Sequence, residues 1–221
     1  MGYSIREIKK ISPILSEYPT KTIMCELGNS YIKGDDFVEW LDANDMGDLP
    51  VGGEQHKKGI VSKYFWERIG YEYLSVDMNR YDYSHYLDLR KQVPAYVKDT
   101  FDIVLDVGTI EHVQNQYMAF YNTDYMTKVG GVNIHFLPKV GTWPGHCSYY
   151  YDMSNFEKLA DICGYEVVNI SEEYHPAGSW ICAVMIKGDN EFPSVEEFKK
   201  IGIHYVDGYA NDQSHYPWAY E

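Results

Sequence analysis

The apolar pattern predicts an α/β fold in three layers, with a mostly parallel sheet that ends in a C-terminal antiparallel hairpin. Three observations predict it. Short apolar runs alternate with helix-spaced segments along most of the chain, the order that generates parallel strands joined by helices. The run Phe101 to Val107 is short, largely apolar and stopped by Gly108-Thr109, as in a strand buried on both faces whose carboxyl end meets a ligand. The last two apolar runs follow each other with no helix between them, which makes a hairpin.

Each element follows from local signals. Ile5, Ile8, Ile11 and Leu15 fall on one helical face, and Pro13 is expected to bend or end that helix. After the break at Pro19-Thr20, Thr22 to Leu27 reads as a buried strand closed by Gly28-Asn29-Ser30. Residues 33–59 are polar, with Asp35, Asp36, Asp42, Asp45, Asp48, Pro50 and Gly52-Gly53, and only Phe37 to Leu41 reads as a turn or two of helix. So long a connection is expected to be an insertion or a lid. Helical spacing resumes at Ile60, Tyr64, Phe65 and Ile69, with Gly70 as C-cap. Tyr71 to Val76 is the next strand, ending at Asp77, and a loop rich in Tyr and Asp (79–89) leads through Pro94 to the strand at 101–107.

Glu111-His112 reads as the opening of a helix, Ala119 to Met126 as helical, Val129 to Gly131 as a turn, and Val132 to Leu137 as a strand. A loop with Pro138, Gly141, Trp143, Pro144, Gly145 and His146 follows, up to Tyr149-Tyr150-Tyr151. Ser154, with Glu157 three residues on, reads as the cap of a helix that runs to Gly164. Two strands, Glu166 to Ile170 and Trp180 to Ile186, flank the loop Pro176-Ala177-Gly178. The expected organisation is one domain over 1–221, with a core at about 20–187, the insertion at 33–59 and an extension at 188–221. The extension is too aromatic for a free tail, and is expected to pack on its own domain, cover a pocket or contact a second copy in a homodimer.

The strand Phe101-Asp102 with its apolar run, followed by Glu111-His112-Val113, resembles the middle strand and next helix of class I S-adenosylmethionine-dependent methyltransferases. The resemblance covers roughly residues 20–187 and implies a Rossmann-like sheet of order 3-2-1-4-5-7-6. It also implies a cofactor, S-adenosyl-L-methionine, and a cofactor site. Cys25 to Tyr31 stands where the family has its glycine-rich loop: Glu26 and Gly28 are kept, Asn29 lies between, and Ser30 replaces the second glycine. Glycine is needed there for close backbone approach. Asp77, with Met78 beside it, stands where the family has the acid that accepts from both ribose hydroxyls, a task suited to an acceptor-only carboxylate. Asp88 and Leu89 match the segment that binds the adenine amino group and donates a backbone N–H. Asp106, Gly108 and Thr109 should border the methionine end. Glu111 is explained as well by the favour a helix N-terminus extends to acids.

On the acceptor side the resemblance implies a base, and His146 and His112 are the candidates, since histidine exchanges a proton near neutral pH. His146 stands out because it sits in a loop dense in glycine and aromatics. His135, inside an apolar strand, reads as a core residue. No carboxylates or histidines have the spacing of a metal box, so no metal is expected, although Asp106, His135 and His146 are able to converge in space.

Composition narrows the partners. The chain has 221 residues, of which 45% are apolar and 24% charged, enough for a full core. Nineteen Lys and Arg stand against 33 Asp and Glu, a net charge of −14 that repels phosphate backbones and disfavours long nucleic acid. The 22 tyrosines suit semi-polar pockets and interfaces. Together these motivate a small, hydroxylated acceptor, a sugar or nucleotide-sugar among them. Cys25, Cys147, Cys163 and Cys182 form no Cys-x-x-Cys pair, and no apolar leader or membrane-length run is present, so a cytoplasmic protein is expected. Two rivals remain. One is an inactive binding or scaffold protein on the same fold, suggested by Ser30. The other is a nucleotide-dependent oxidoreductase, which the lack of Gly-x-Gly-x-x-Gly opposes.

Overall fold

Ile5, Ile8, Ile11 and Leu15 are all buried, as their helical spacing requires. The computed structural model describes residues 2–18, 22–50, 59–79, 83–175 and 178–206, and the chain divides into two units, Met1–Tyr86 and Leu87–Glu221.

The first unit opens with β1 (Gly2–Ser4) and α1 (Ile5–Leu15), whose capping box joins Ser4 and Glu7. Pro13 lies inside α1 rather than ending it. The Lys9 carbonyl, which loses Pro13 as a donor, accepts the Ser12 hydroxyl at 3.2 Å instead. Next come β2 (Ile23–Leu27), β3 (Tyr31–Lys33), α2 (Asp35–Ala43), β4 (Gly59–Val61), α3 (Ser62–Arg68), β5 (Glu72–Asp77) and β6 (His85–Tyr86). Strands β2, β5 and β6 pair in parallel in that order, the expected 3-2-1 half of the sheet. A separate small sheet, β1-β3-β4, is built at the edges of the expected insertion. Its three-residue strands are too short to show a period, so only tertiary pairing reveals them. Part of the 33–59 segment, residues 51–58, lies outside the described residues, as do the break at 19–20 and part of the 79–89 loop. The unit is filled by aromatics: Trp66 and Phe65 lie 5.0 Å apart, Phe65 and Phe37 5.7 Å. The Trp66 indole donates to the Tyr3 hydroxyl at 2.8 Å.

The second unit contains β7 (Phe101–Val107), α4 (Gln116–Met126), β8 (Thr127–Pro138), β9 (Tyr149–Tyr150), α5 (Met153–Cys163), β10 (Glu166–His175), β11 (Gly178–Ile186), α6 (Val195–Phe198) and β12 (His204–Tyr205). Strand β7 runs parallel to β8, β8 antiparallel to β11, and β11 antiparallel to β10. This is the expected 4-5-7-6 half with its terminal hairpin. The loop residues Pro176 and Ala177 and the extension from 207 lie outside the described residues. A buried lysine, Lys187, ties the start of β8 to the end of α4 through the carbonyls of Asp124 and Thr127, at 2.7 and 2.9 Å.

Three local expectations are corrected. The segment at Glu111 is a single 3-10 turn, Ile110–His112, and the helix starts only at Gln116, capped by Asn115. Asp106 holds the front of that turn, and Val113 is extended, which stops propagation. Helix α5 is capped by Asp152 with Asn155, not by Ser154 with Glu157, because Asp152 has the extended backbone that a cap needs. The expected turn at 129–131 lies within β8, which starts earlier than the apolar run suggests. Among the described residues no helix is long and apolar enough to cross a membrane.

Candidate active site

In the first unit, β2 ends at Gly28, whose φ of +86° is the left-handed backbone that glycine adopts without strain. The Gly28 N–H donates to the Val76 carbonyl at 2.7 Å, which ties the turn to the end of β5. Asp77, at that end, accepts the Asn29 N–H on one oxygen at 2.7 Å and the Asn79 N–H on the other at 2.9 Å. Met78 follows in the bend. Thus Gly28, Asn29, Asp77 and Met78 come together at the ends of β2 and β5. Glu26 is fully buried within β2. Its Oε2 accepts the Ser62 hydroxyl at 2.6 Å and the Tyr73 hydroxyl at 2.5 Å. Burial pushes the carboxyl up to about 7 against the pull of those two bonds. Asn29 Oδ1 is buried without a hydrogen-bond partner, and the buried Ser30 hydroxyl faces the Glu26 carboxyl and lowers its pKa.

In the second unit, Asp88 is held by Arg90: its Oδ1 accepts from Nε at 2.8 Å and its Oδ2 from Nη2 at 2.9 Å. Burial raises the Asp88 carboxyl, but the Arg90 bonds prevail and leave it below the ordinary range. Its neighbour Leu89 is buried, and the Leu89 carbonyl accepts the Asn122 amide at 3.1 Å. Asp106 is fully buried and fully engaged. Its Oδ1 accepts the N–H groups of Thr109 and Ile110 at 3.1 and 3.3 Å, and its Oδ2 meets His135 Nδ1 at 3.0 Å. Burial raises its carboxyl, opposed by the contact with His135. His135 is the expected core histidine, lying 5.4 and 5.7 Å from the rings of Phe120 and Phe156. Of the trio Asp106, His135 and His146, the structure joins the first two.

His146 is joined instead to Glu111 and His112. Gly108, with φ +76°, turns the chain out of β7. The 3-10 turn that follows is held at its front by Asp106 and at its back by the Gln116 amide, which donates to the carbonyls of Ile110 and Val113 at 2.7 Å each. Tyr151, donating to Gln116 Oε1 at 2.5 Å, fixes that amide. The result places Glu111 inside, with no side-chain exposure. His146 Nε2 lies 3.4 Å from Glu111 Oε1, and His112 Nε2 lies 3.7 Å from the same oxygen. The His146 backbone is set by its own N–H, which donates to the Trp143 carbonyl at 3.1 Å. Trp143 in turn donates from its indole to the Ser179 carbonyl at 2.8 Å and lies 4.6 Å from the Trp180 ring. A Cβ at Gly178 would fall 2.7 Å from the Trp143 ring, so glycine there is what admits the indole. Gly108, Glu111, His112 and His146 thus share a wall with Trp143 and Trp180.

The residues that sequence reasoning passed over are Glu111 as a buried acid, and Trp143 and Trp180 as ring walls. An acid directly followed by histidine after a glycine turn was the available signal for the first. Nothing local marks Trp180, whose place comes from pairing of β11 with β8.

No family model and no curated protein sequence matches this chain. Among solved structures, a Burkholderia thailandensis 1,6-didemethyltoxoflavin-N1-methyltransferase, with bound 1,6-didemethyltoxoflavin and S-adenosylhomocysteine, aligns with 83% of this chain and 79% of its own. The TM-score is 0.52 and the identity 12%. The CMeT domain of the citrinin polyketide synthase aligns with 83% of this chain and 52% of its own, at TM-score 0.51 and 13% identity. This chain therefore spans about half the length of that second one. Likeness at such identity shows a fold: the Rossmann-like α/β fold of class I S-adenosylmethionine-dependent methyltransferases.

Proposed function

We propose that this chain, built on the class I methyltransferase fold, is an S-adenosylmethionine-dependent methyltransferase of a small, polar acceptor such as a sugar or nucleotide-sugar, in a cytoplasmic setting. One observation carries the reading: the turn after β2, where left-handed Gly28, the Asn29 N–H bonded to Asp77 and the unpartnered buried Asn29 Oδ1 stand together. A fold by itself does not fix a reaction.

S-adenosylmethionine, when bound, supplies an electrophilic methyl group. Its ribose would be held by Asp77, whose oxygens each keep a lone pair beyond their backbone bonds. Glu26, Gly28, Asn29 and Met78 would line the same end of β2 and β5. Asp88 and Leu89 are the proposed adenine contacts, and Gly108 and Thr109 the proposed neighbours of the methionine end. Asp106 serves there by shaping the turn, since both its oxygens are engaged within the fold. His146 accepts the proton of the acceptor hydroxyl or amine on the ring nitrogen that does not face Glu111, with His112 beside it, and Glu111, 3.4 Å from His146 Nε2, stabilises the resulting imidazolium. Trp143 and Trp180 exclude water from the reacting atoms. Most of the rate then comes from positioning.

Calorimetric titration with S-adenosylhomocysteine tests the reading. Micromolar binding that Asp77→Ala abolishes supports it, and methyl transfer to a panel of sugars and metabolites then identifies the acceptor. Absence of binding by the folded wild-type protein would sink it and favour a non-catalytic binding protein, a reading that the buried Ser30 in the glycine position supports.

A further inference from the structure

We propose that Glu111, His112 and His146 form a binding site for one divalent transition-metal ion. Their ligand atoms, one carboxylate oxygen and two imidazole nitrogens, all lie within 4.8 Å of one another. The two oxygen–nitrogen separations are 3.4 and 3.7 Å. Those are longer than the 2.7–3.2 Å of an N–H···O bond. They fit the edge of a coordination shell instead: on a tetrahedral ion with bonds of about 2.1 Å, ligand atoms stand about 3.4 Å apart.

The polar bookkeeping points the same way. Both Glu111 oxygens and His146 Nε2 are buried and lack any hydrogen-bond partner. A carboxylate removed from water and left unbonded is unfavourable unless something charged meets it. Nearby donors are turned elsewhere: Cys147 Sγ faces the Tyr149 carbonyl at 3.0 Å, and Tyr151 donates to Gln116. A Cβ at Gly108 would approach Glu111 Oε1 to 3.2 Å, so glycine keeps space open at that oxygen.

The scaffold is rigid where a site needs it to be. Asp106 and Gln116 clamp the turn that carries Glu111 and His112, and the His146 N–H is bonded within its loop. Access remains on the histidine side, where His112 and His146 are 32% and 35% exposed. Three protein ligands with open positions are the pattern of a catalytic rather than a structural metal site. Two imidazoles and one carboxylate suit Zn²⁺, Mn²⁺, Fe²⁺ or Co²⁺ better than the all-oxygen preference of Mg²⁺ or Ca²⁺. If the methyltransferase reading holds, an ion there deepens it: the ion, rather than free His146, would lower the acceptor's pKa.

The test uses the full chain, stripped with a chelator and titrated with Zn²⁺ and Mn²⁺ by calorimetry, and with Co²⁺ by visible absorption. One equivalent per chain is expected, with Co²⁺ bands of a nitrogen–oxygen site. Glu111→Gln and His146→Ala should each weaken binding by roughly 100-fold or more, while His204→Ala, at the exposed pair with Asp152, should leave it unchanged. Circular dichroism and thermal melts report whether each variant folds, and the more exposed His146 serves if Glu111→Gln does not. No stoichiometric binding by wild type, or binding that survives the folded variants, overturns the proposal. Ion binding without S-adenosylhomocysteine binding would keep the metal site and remove the methyltransferase reading, and the reverse result would do the opposite.

Discussion

The turns after β2 and β7 are built alike and engage their acids differently. Each closes a buried strand with a left-handed glycine, Gly28 at +86° and Gly108 at +76°. Each has a fully buried acid two residues before that glycine, Glu26 and Asp106. At the first turn, Asp77 takes the backbone N–H groups while Glu26 is held by the hydroxyls of Ser62 and Tyr73. At the second, Asp106 is spent on the turn and His135, and the unpartnered carboxylate is Glu111, three residues past the glycine. The strand-to-glycine pattern therefore does not say which acid is structural. The partners supplied by neighbouring elements decide that.

The largest expected effect comes from removing the engaged acid. Asp106→Ala strands His135 and two backbone N–H groups in the core, and should cost about 3–5 kcal/mol in denaturant titrations. A loss below about 1 kcal/mol would mean Asp106 is not the keystone of its turn.

The matching acid of the first turn should announce itself through pH. Glu26 is raised from 4.5 to about 7 in the fold. Its contribution is therefore complete below the unfolded value and is lost as pH rises through the folded one. Stability should fall by roughly 3 kcal/mol between pH 4.5 and about 7, and Glu26→Gln should flatten that decline. Equal slopes in wild type and Glu26→Gln would refute the assignment.

Alanine at the two glycines sharpens the contrast further. Gly28→Ala and Gly108→Ala each force a left-handed side chain and should cost about 1–2 kcal/mol. Only Gly108→Ala presses on Glu111, so it alone should also weaken the proposed ion site. The smallest effect belongs to Ser30→Ala. Removing the Ser30 hydroxyl, which faces the Glu26 carboxyl, should change stability by about 1 kcal/mol or less. If S-adenosylhomocysteine binding weakens at the same time, that hydroxyl touches the ligand.

Much of the fold was legible along the chain. The buried strands at 23–27, 72–77 and 101–107, the terminal hairpin and the helices ending at Gly70 and Gly164 carry period and cap signals that act over a few residues. Strands β1, β3 and β4 were not legible, because three residues show no period and their pairing is non-local. The helix expected at Glu111 gave way to one 3-10 turn because the side chains of Asp106 and Gln116 satisfied its ends first. For the candidate site, the glycine turns and the acids at strand ends were readable as positions, and His146 as a residue in a special loop. Whether any of those acids had a partner was not.

By itself, then, the sequence determined the α/β order, the two glycine turns and a net charge of −14. These depend on local periodicity, turn chemistry and summed charge. Only the tertiary structure decided that Asp88 and Asp106 are engaged, that His135 belongs to the core, and that Glu111 meets His112 and His146. Burial and hydrogen-bond partners are properties of groups brought together from distant parts of the chain, and no local window contains them.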